Sequence, residues 1–150
     1  MSTNPLPEMP CFALYAASRA VTQAYRAVLS EENLTYPQFL VIVVLASQGE
    51  SSVGTLASNL LLDSGTLSPM LQRLETRGLL TRERRVGNER TVIVSLTPEG
   101  ELMHERVASA AQCIGPGYGF TNADELRDLL GQLHRITTGM AGLTASVSSH

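Results

Sequence analysis

Apolar and polar positions alternate along this chain with two different periods, and the change of period marks out its elements. From Cys11 to about Ser30 the residues suit a helix, and Tyr15, Arg19, Thr22, Arg26 and Leu29 recur at three- and four-residue steps, the spacing of one helical face. Pro10 fits the first turn, where a missing N–H costs little. Thr35-Tyr36-Pro37-Gln38 reads as a capping box. It opens a buried helix through the apolar run Phe39 to Ala46, stopped near Gly49. Ser52 can cap a short third helix, Val53 to Leu60. The cluster Asp63-Ser64-Gly65-Thr66 then begins a longer helix through Met70, Leu71, Leu74 and Arg77. Its cap is expected at Ser64, Gly65 or Thr66, and Gly78 sits where a helix-ending glycine belongs. Pro69 must lie in the first turn of that helix or bend it.

After Gly78 the period falls to two. Leu79 to Arg84 reads as one strand and Thr91 to Leu96 as another, with Arg85 to Arg90 supplying the turn. A short helix, a longer helix and a hairpin in direct succession spell helix-turn-helix plus wing. Thr97 and Pro98 open a further helix that runs to about Cys113. Gly115-Pro116-Gly117-Tyr118-Gly119 breaks it, and Thr121-Asn122-Ala123-Asp124 is a looser capping box. The final helix carries Leu126, Leu129, Leu130, Leu133, Ile136 and Met140 as one stripe. Such a stripe serves packing within the chain or pairing with a second subunit. Beyond Leu143 the tail is small and polar and is expected to fray.

The predicted fold is therefore mainly α with a small β-hairpin wing, and 150 residues suit one domain. Residues 52–97 form its winged helix-turn-helix, while about 10–48 and 98–143 supply dimerisation helices. Charged residues make up only 17% of the chain, which is low for a solvated monomer and favours apolar surface buried between subunits. No apolar run reaches the ~20 residues of a membrane span. Met1 to Pro10 shows no basic patch followed by an apolar stretch, so a cytoplasmic location is expected. His104, His134 and His150 are scattered and the two cysteines are far apart, so no metal site and no cofactor are expected.

The net charge of −3 argues against nucleic acid for the chain as a whole, but averages hide patches. All 11 basic residues are arginines. Arg73, Arg77, Arg82, Arg84, Arg85 and Arg90 crowd one window, which carries +3 against −6 for the remainder. A basic middle between acidic ends fits DNA contact by one segment and assembly by the others; a solvated arginine-rich hairpin is the plainer alternative. In the DNA reading, Ser64, Thr66 and Ser68, with Pro69, allow the backbone close to phosphates. Gln72 and Arg73 reach base edges in the major groove. Arg85 and Arg90 on the narrow hairpin suit a minor groove. One such module buries little surface, so two copies on a pseudo-palindromic double-stranded operator are expected.

Leu62 to Leu71 resembles the recognition-helix region of the multiple-antibiotic-resistance regulator (MarR) family. Cys11 to Arg19, Leu34 to Phe39 and Arg90 to Thr97 resemble its organic-hydroperoxide-sensing branch, so the likeness spans about positions 11 to 113. The resemblance implies a homodimer joined by N- and C-terminal helices that represses a peroxidase gene until an organic hydroperoxide oxidises it. Cys11 falls on the branch's reactive cysteine, Tyr25 and Tyr36 on the tyrosines that hydrogen-bond it, Cys113 on the resolving cysteine of a two-cysteine subgroup, and Arg90 on the wing arginine. Asn88 departs from the pattern, because the family usually has there an aspartate that braces this arginine.

The chemistry suits those residues. A thiolate attacks peroxide, and the start of a helix favours negative charge. Oxidation gives a sulfenic acid that a second thiol condenses with. Yet Tyr25 follows Cys11 by 14 residues, roughly 21 Å along a helix. A contact between them needs the other subunit or a broken helix. Two other readings stay open. Tyr15, Tyr25 and Tyr36 could line a pocket for a phenolic ligand that gates a repressor of the same family. Cys11 and Cys113 could instead serve a thiol peroxidase, although a winged helix has no purpose there and no enzyme is expected. A pure protein-interaction module would require the absence of sequence-specific DNA binding.

Overall fold

A computed structural model describes residues 4–148. Residues 1–3, where the segment read as carrying no signal peptide begins, and His150 lie outside the described residues. The chain falls into two compact units, one up to Ile114 and one from Gly115 onward.

The first unit holds α1 (Pro10–Leu29), α2 (Tyr36–Gln48), β1 (Ser51–Ser52), α3 (Val53–Leu60), α4 (Ser64–Thr76), β2 (Leu80–Arg85), β3 (Asn88–Leu96) and α5 (Pro98–Gln112). Short-range chemistry sets most of these bounds. Thr35 Oγ1 accepts from the Gln38 N–H while the Gln38 side chain accepts from the Thr35 N–H, the reciprocal box the sequence predicts. Ser52 and Thr97 cap α3 and α5 as expected. At α4 the cap is Asp63, one residue earlier than anticipated. A carboxylate can take both the backbone N–H and the hydroxyl of Thr66, each at 2.8 Å, which no serine or glycine in the cluster could match. Those bonds hold the Asp63 carboxyl below its ordinary range. Pro69 consequently lies in the second turn, inside the helix.

The sheet is antiparallel in the order β1-β3-β2. The hairpin is tighter than the sequence suggests. Arg85 pairs with Asn88 across Val86 and Gly87, and Gly87 supplies the positive φ of 87° that the turn needs. The register then passes from Arg85↔Asn88 to Arg84↔Val92, so Glu89, Arg90 and Thr91 bulge from β3. A third strand, the pair Ser51-Ser52 against Val94 and Ile93, was not foreseen.

One apolar core joins these elements. Leu29, Val41, Ile42, Leu56, Leu67, Leu71, Leu74, Val94 and Val107 are wholly buried within it, each contributing about 1.5–3 kcal/mol. Gly100 is buried where the first turn of α5 meets the hairpin base; an added Cβ would stand 2.0 Å from the Leu79 carbonyl oxygen.

The second unit is α6 (Ala123–Val147), preceded by a 3-10 turn at Gly115–Tyr118. Its cap is Asn122, which accepts from the N–H groups of Asp124 and Glu125, while Glu125 accepts from Thr121. The expected box is thus displaced by one residue. The helix also runs past Leu143, where fraying was expected, to Val147. None of its residues is buried. No described helix is long and apolar enough to cross a membrane.

Candidate nucleic-acid and redox site

The first unit carries the residues singled out above. One surface is built on α4, which turns Leu67, Leu71 and Leu74 into the core and leaves its other side to solvent. Ser64, Thr66, Ser68, Pro69, Gln72 and Arg73 are all exposed there. Thr66 differs from the rest because its hydroxyl is bonded to Asp63. A groove of about 640 Å³ runs beside this side, lined by Pro69, Gln72, Arg73, Thr76 and Arg77 with Asn33 and Gln38 across from them.

The wing stands next to α4 through its base. Glu75 of α4 accepts three bonds from Arg82 of β2: from the backbone N–H at 3.1 Å, from Nε at 2.9 Å and from the terminal amino group at 2.7 Å. The Arg82 guanidinium holds the Glu75 carboxyl below its ordinary range. Higher up, Val86 is fully exposed at the tip. Arg85 flanks that tip, but Arg90 does not. Arg85 makes an ion pair with Glu50 at 3.5 Å, and Arg84 bonds the Glu89 carbonyl oxygen. Arg90 sits in the bulge, exposed, and among the described residues its side chain has no ion-pair or hydrogen-bond partner. Asn88 gives it no brace.

The thiols and tyrosines do not gather at one place within a single chain. Cys11 is the second residue of α1, just after Pro10, and is exposed. Cys113 is exposed at the C-terminal cap of α5. Tyr25 and Tyr36 come together from α1 and α2, with ring centres 4.8 Å apart and Phe39 5.3 Å from Tyr25. Helix α1 is unbroken from Pro10 to Leu29, so Cys11 and Tyr25 of one chain stay roughly 21 Å apart. Tyr15 is likewise removed from the tyrosine pair, by about 15 Å along α1; its hydroxyl accepts from Arg19 at 3.0 Å. Exposed Leu6, Met9, Leu14 and Tyr15 surround the start of α1 with apolar surface.

Three polar contacts had no local signal in the sequence. They are the Glu75–Arg82 clasp, the ion pair of Arg106 with Glu32 at 3.3 Å, and the grip of Arg77 on the carbonyl oxygens of Glu32 and Asn33. Pairings between different elements, some of them more than forty positions apart, leave no periodic trace.

Known proteins resemble this arrangement closely. The pattern of the transcriptional regulator SarA/Rot family matches residues 23–107. The organic hydroperoxide resistance transcriptional regulator of Bacillus subtilis (strain 168) is 39% identical over 126 residues, covering 84% of this chain and 85% of that protein. The HTH-type transcriptional regulator TtmR of Methylorubrum extorquens (strain PA1) is 43% identical over 123 residues, which are 82% of this chain and 63% of that protein. Among solved structures, reduced AbfR bound to DNA superposes with a TM-score of 0.78 at 33% identity, covering 87% of this chain and 91% of AbfR. AbfR, from Staphylococcus epidermidis, has also been solved with its disulfide formed; that state gives a TM-score of 0.65 at 31% identity, over 85% and 88% of the two chains.

Proposed function

This chain belongs to the MarR family of winged helix-turn-helix transcriptional regulators, and from that premise we propose that it is a homodimeric repressor that leaves its operator when an organic hydroperoxide oxidises Cys11. The observation that carries this reading is the placement of Cys11: an exposed thiol in the first turn of a twenty-residue helix, where the helix dipole favours an anion. The likeness to a hydroperoxide resistance regulator supports it.

In this reading two subunits set their α4 helices into successive major grooves of double-stranded DNA. Ser64, Ser68 and the opening backbone of α4 approach phosphates, and Gln72 and Arg73 read base edges. Thr66 keeps the start of α4 in shape through Asp63. Arg90, unpaired in the bulge, enters the minor groove. Arg85, tied to Glu50, contributes less. Residues 52–97 form the DNA-binding part, and the helices of 10–48 and 98–143 join the subunits.

Oxidation proceeds in two steps. The Cys11 thiolate attacks the outer peroxide oxygen. An S–O bond forms, the O–O bond breaks, and the alkoxide leaves as an alcohol after taking a proton. The sulfur loses two electrons and the peroxide gains them. The thiol of the partner's Cys113 then attacks the sulfenic sulfur. An S–S bond forms, the S–O bond breaks and water leaves. Because α1 is unbroken, Tyr25 and Tyr36 can steady the Cys11 sulfur only from the opposite subunit. Sensing and pairing then share one interface, and a new disulfide across it shifts the spacing of the two α4 helices on DNA.

A DNA-shift assay on the protein's own promoter tests this. Stoichiometric cumene hydroperoxide should release wild type and yield a reducible covalent dimer. Cys11→Ser should stay bound under oxidant, and release of that variant would remove Cys11 from the mechanism. Cys113→Ser should form the sulfenic acid without the covalent dimer.

A further inference from the structure

The corner between α1 and α2 is where two further helices, α4 and α5, are tied in by polar bonds. Its chain runs through a 3-10 turn, Ser30–Glu32, into Asn33, which takes a left-handed φ of 51°. Leaving the helix this way strips carbonyls of their usual N–H donors. Arg77, the C-terminal cap of α4, supplies replacements: one terminal amino group donates to the Asn33 oxygen and the other to the Glu32 oxygen, both at 2.8 Å. Among the described residues these are the polar bonds that join α4 to the corner. The helix otherwise packs chiefly against α3 and β2.

The same corner is held from a second direction. The Glu32 carboxylate pairs with Arg106 of α5, whose other arm reaches Glu99 at 3.2 Å. Cys113 caps the C-terminal end of α5, Cys11 is the second residue of α1 at the end away from the corner, and Tyr36 follows Asn33 by three residues. Every element that carries a proposed redox residue in this unit therefore reaches the Glu32-Asn33 corner, and Arg77 connects that corner to α4.

Building on the sensor reading above, we infer that Arg77 is the positioning residue through which movement at the thiols and tyrosines reaches the DNA-binding helix. A planar guanidinium clamps two oxygens in fixed directions. A corner that shifts must carry the end of α4 with it or lose both bonds. Lysine at this position would keep the positive charge but lose the fork.

The test measures operator affinity of the full-length protein by fluorescence anisotropy, reduced and after cumene hydroperoxide, with disulfide formation followed on non-reducing gels. The readout is the ratio of oxidised to reduced Kd, which cancels any direct effect of the charge on DNA. Arg77→Gln and Arg77→Lys should both lower that ratio by about three- to thirty-fold while the disulfide still forms completely. A ratio equal to wild type in both would overturn the role of Arg77. Glu32→Gln, a near-isosteric change at a half-buried carboxylate that loosens only the α5 arm, should also lower the ratio. It decides the matter if the Arg77 variants do not fold, and an unchanged ratio there sinks the relay. A wild-type ratio near one overturns the sensor reading itself, and this inference with it.

Discussion

The middle of the molecule and its last helix solve the burial problem in opposite ways. Helices α2 to α4 and the sheet close a core in which Leu56, Leu67, Leu71, Leu74 and Val94 lose all contact with water. Helix α6 is longer than any of them and buries no residue, although Leu126, Leu130, Ile136, Met140 and Leu143 follow one another along it with apolar surface exposed. Helix α1 is intermediate, with Leu29 alone buried among twenty residues. A segment that folds on its own contacts shows its purpose inside the subunit. A long amphipathic helix without a buried residue has its apolar stripe available for a second chain.

Substitutions separate the two. Leu71→Ala should produce the largest effect, a loss of about 2–5 kcal/mol in urea denaturation, because its cavity opens in a core that one subunit completes. A cost under 1 kcal/mol would show the middle to be looser than its burial implies. Leu130→Asp in α6 should act on assembly instead. Sedimentation should give a dimer for wild type and a monomer for the variant, and Tm should rise with protein concentration in wild type alone. Wild type that sediments as a monomer would break the comparison outright. The smallest effect concerns acid. Arg82 holds Glu75 below its ordinary carboxyl range, so that carboxylate adds stability above its unfolded pKa, and the contribution is lost as pH falls through the folded one. Glu75→Gln should therefore lose slightly less Tm than wild type between pH 7 and 4. Equal losses would remove the clasp from the acid response.

What could be read in the sequence was what neighbours decide. The Thr35-Gln38 box, the Ser52 and Thr97 caps and the order of helices and hairpin depend on residues within a turn of each other. Errors appeared where two local solutions compete, as when Asp63 outbids Ser64 by taking two bonds from Thr66. They appeared again where folding brings distant groups together. Glu50 meets Arg85 only after the sheet has formed, and Ser51-Ser52 becomes a strand only because Ile93 and Val94 are beside it. Of the candidate site, the place of Cys11 in the first turn of α1 and the exposed side of α4 were legible, whereas the bulge that holds Arg90 was not. The Arg77 grip was not, because its partners are backbone oxygens, and any residue type provides those.

The interior proline of α4 has its own mechanical outcome. Pro69 has no N–H to offer the carbonyl of Gly65, four residues earlier, and Gly65 is itself a poor helix former. The leading turns are thus held by the Asp63 cap and one buried leucine, whereas the trailing turns are riveted by Leu71, Leu74, the Glu75 clasp and Arg77. The helix is a stiff handle with a compliant nose: its front can adjust by small bends to the surface it meets while its rear stays registered to the body of the subunit.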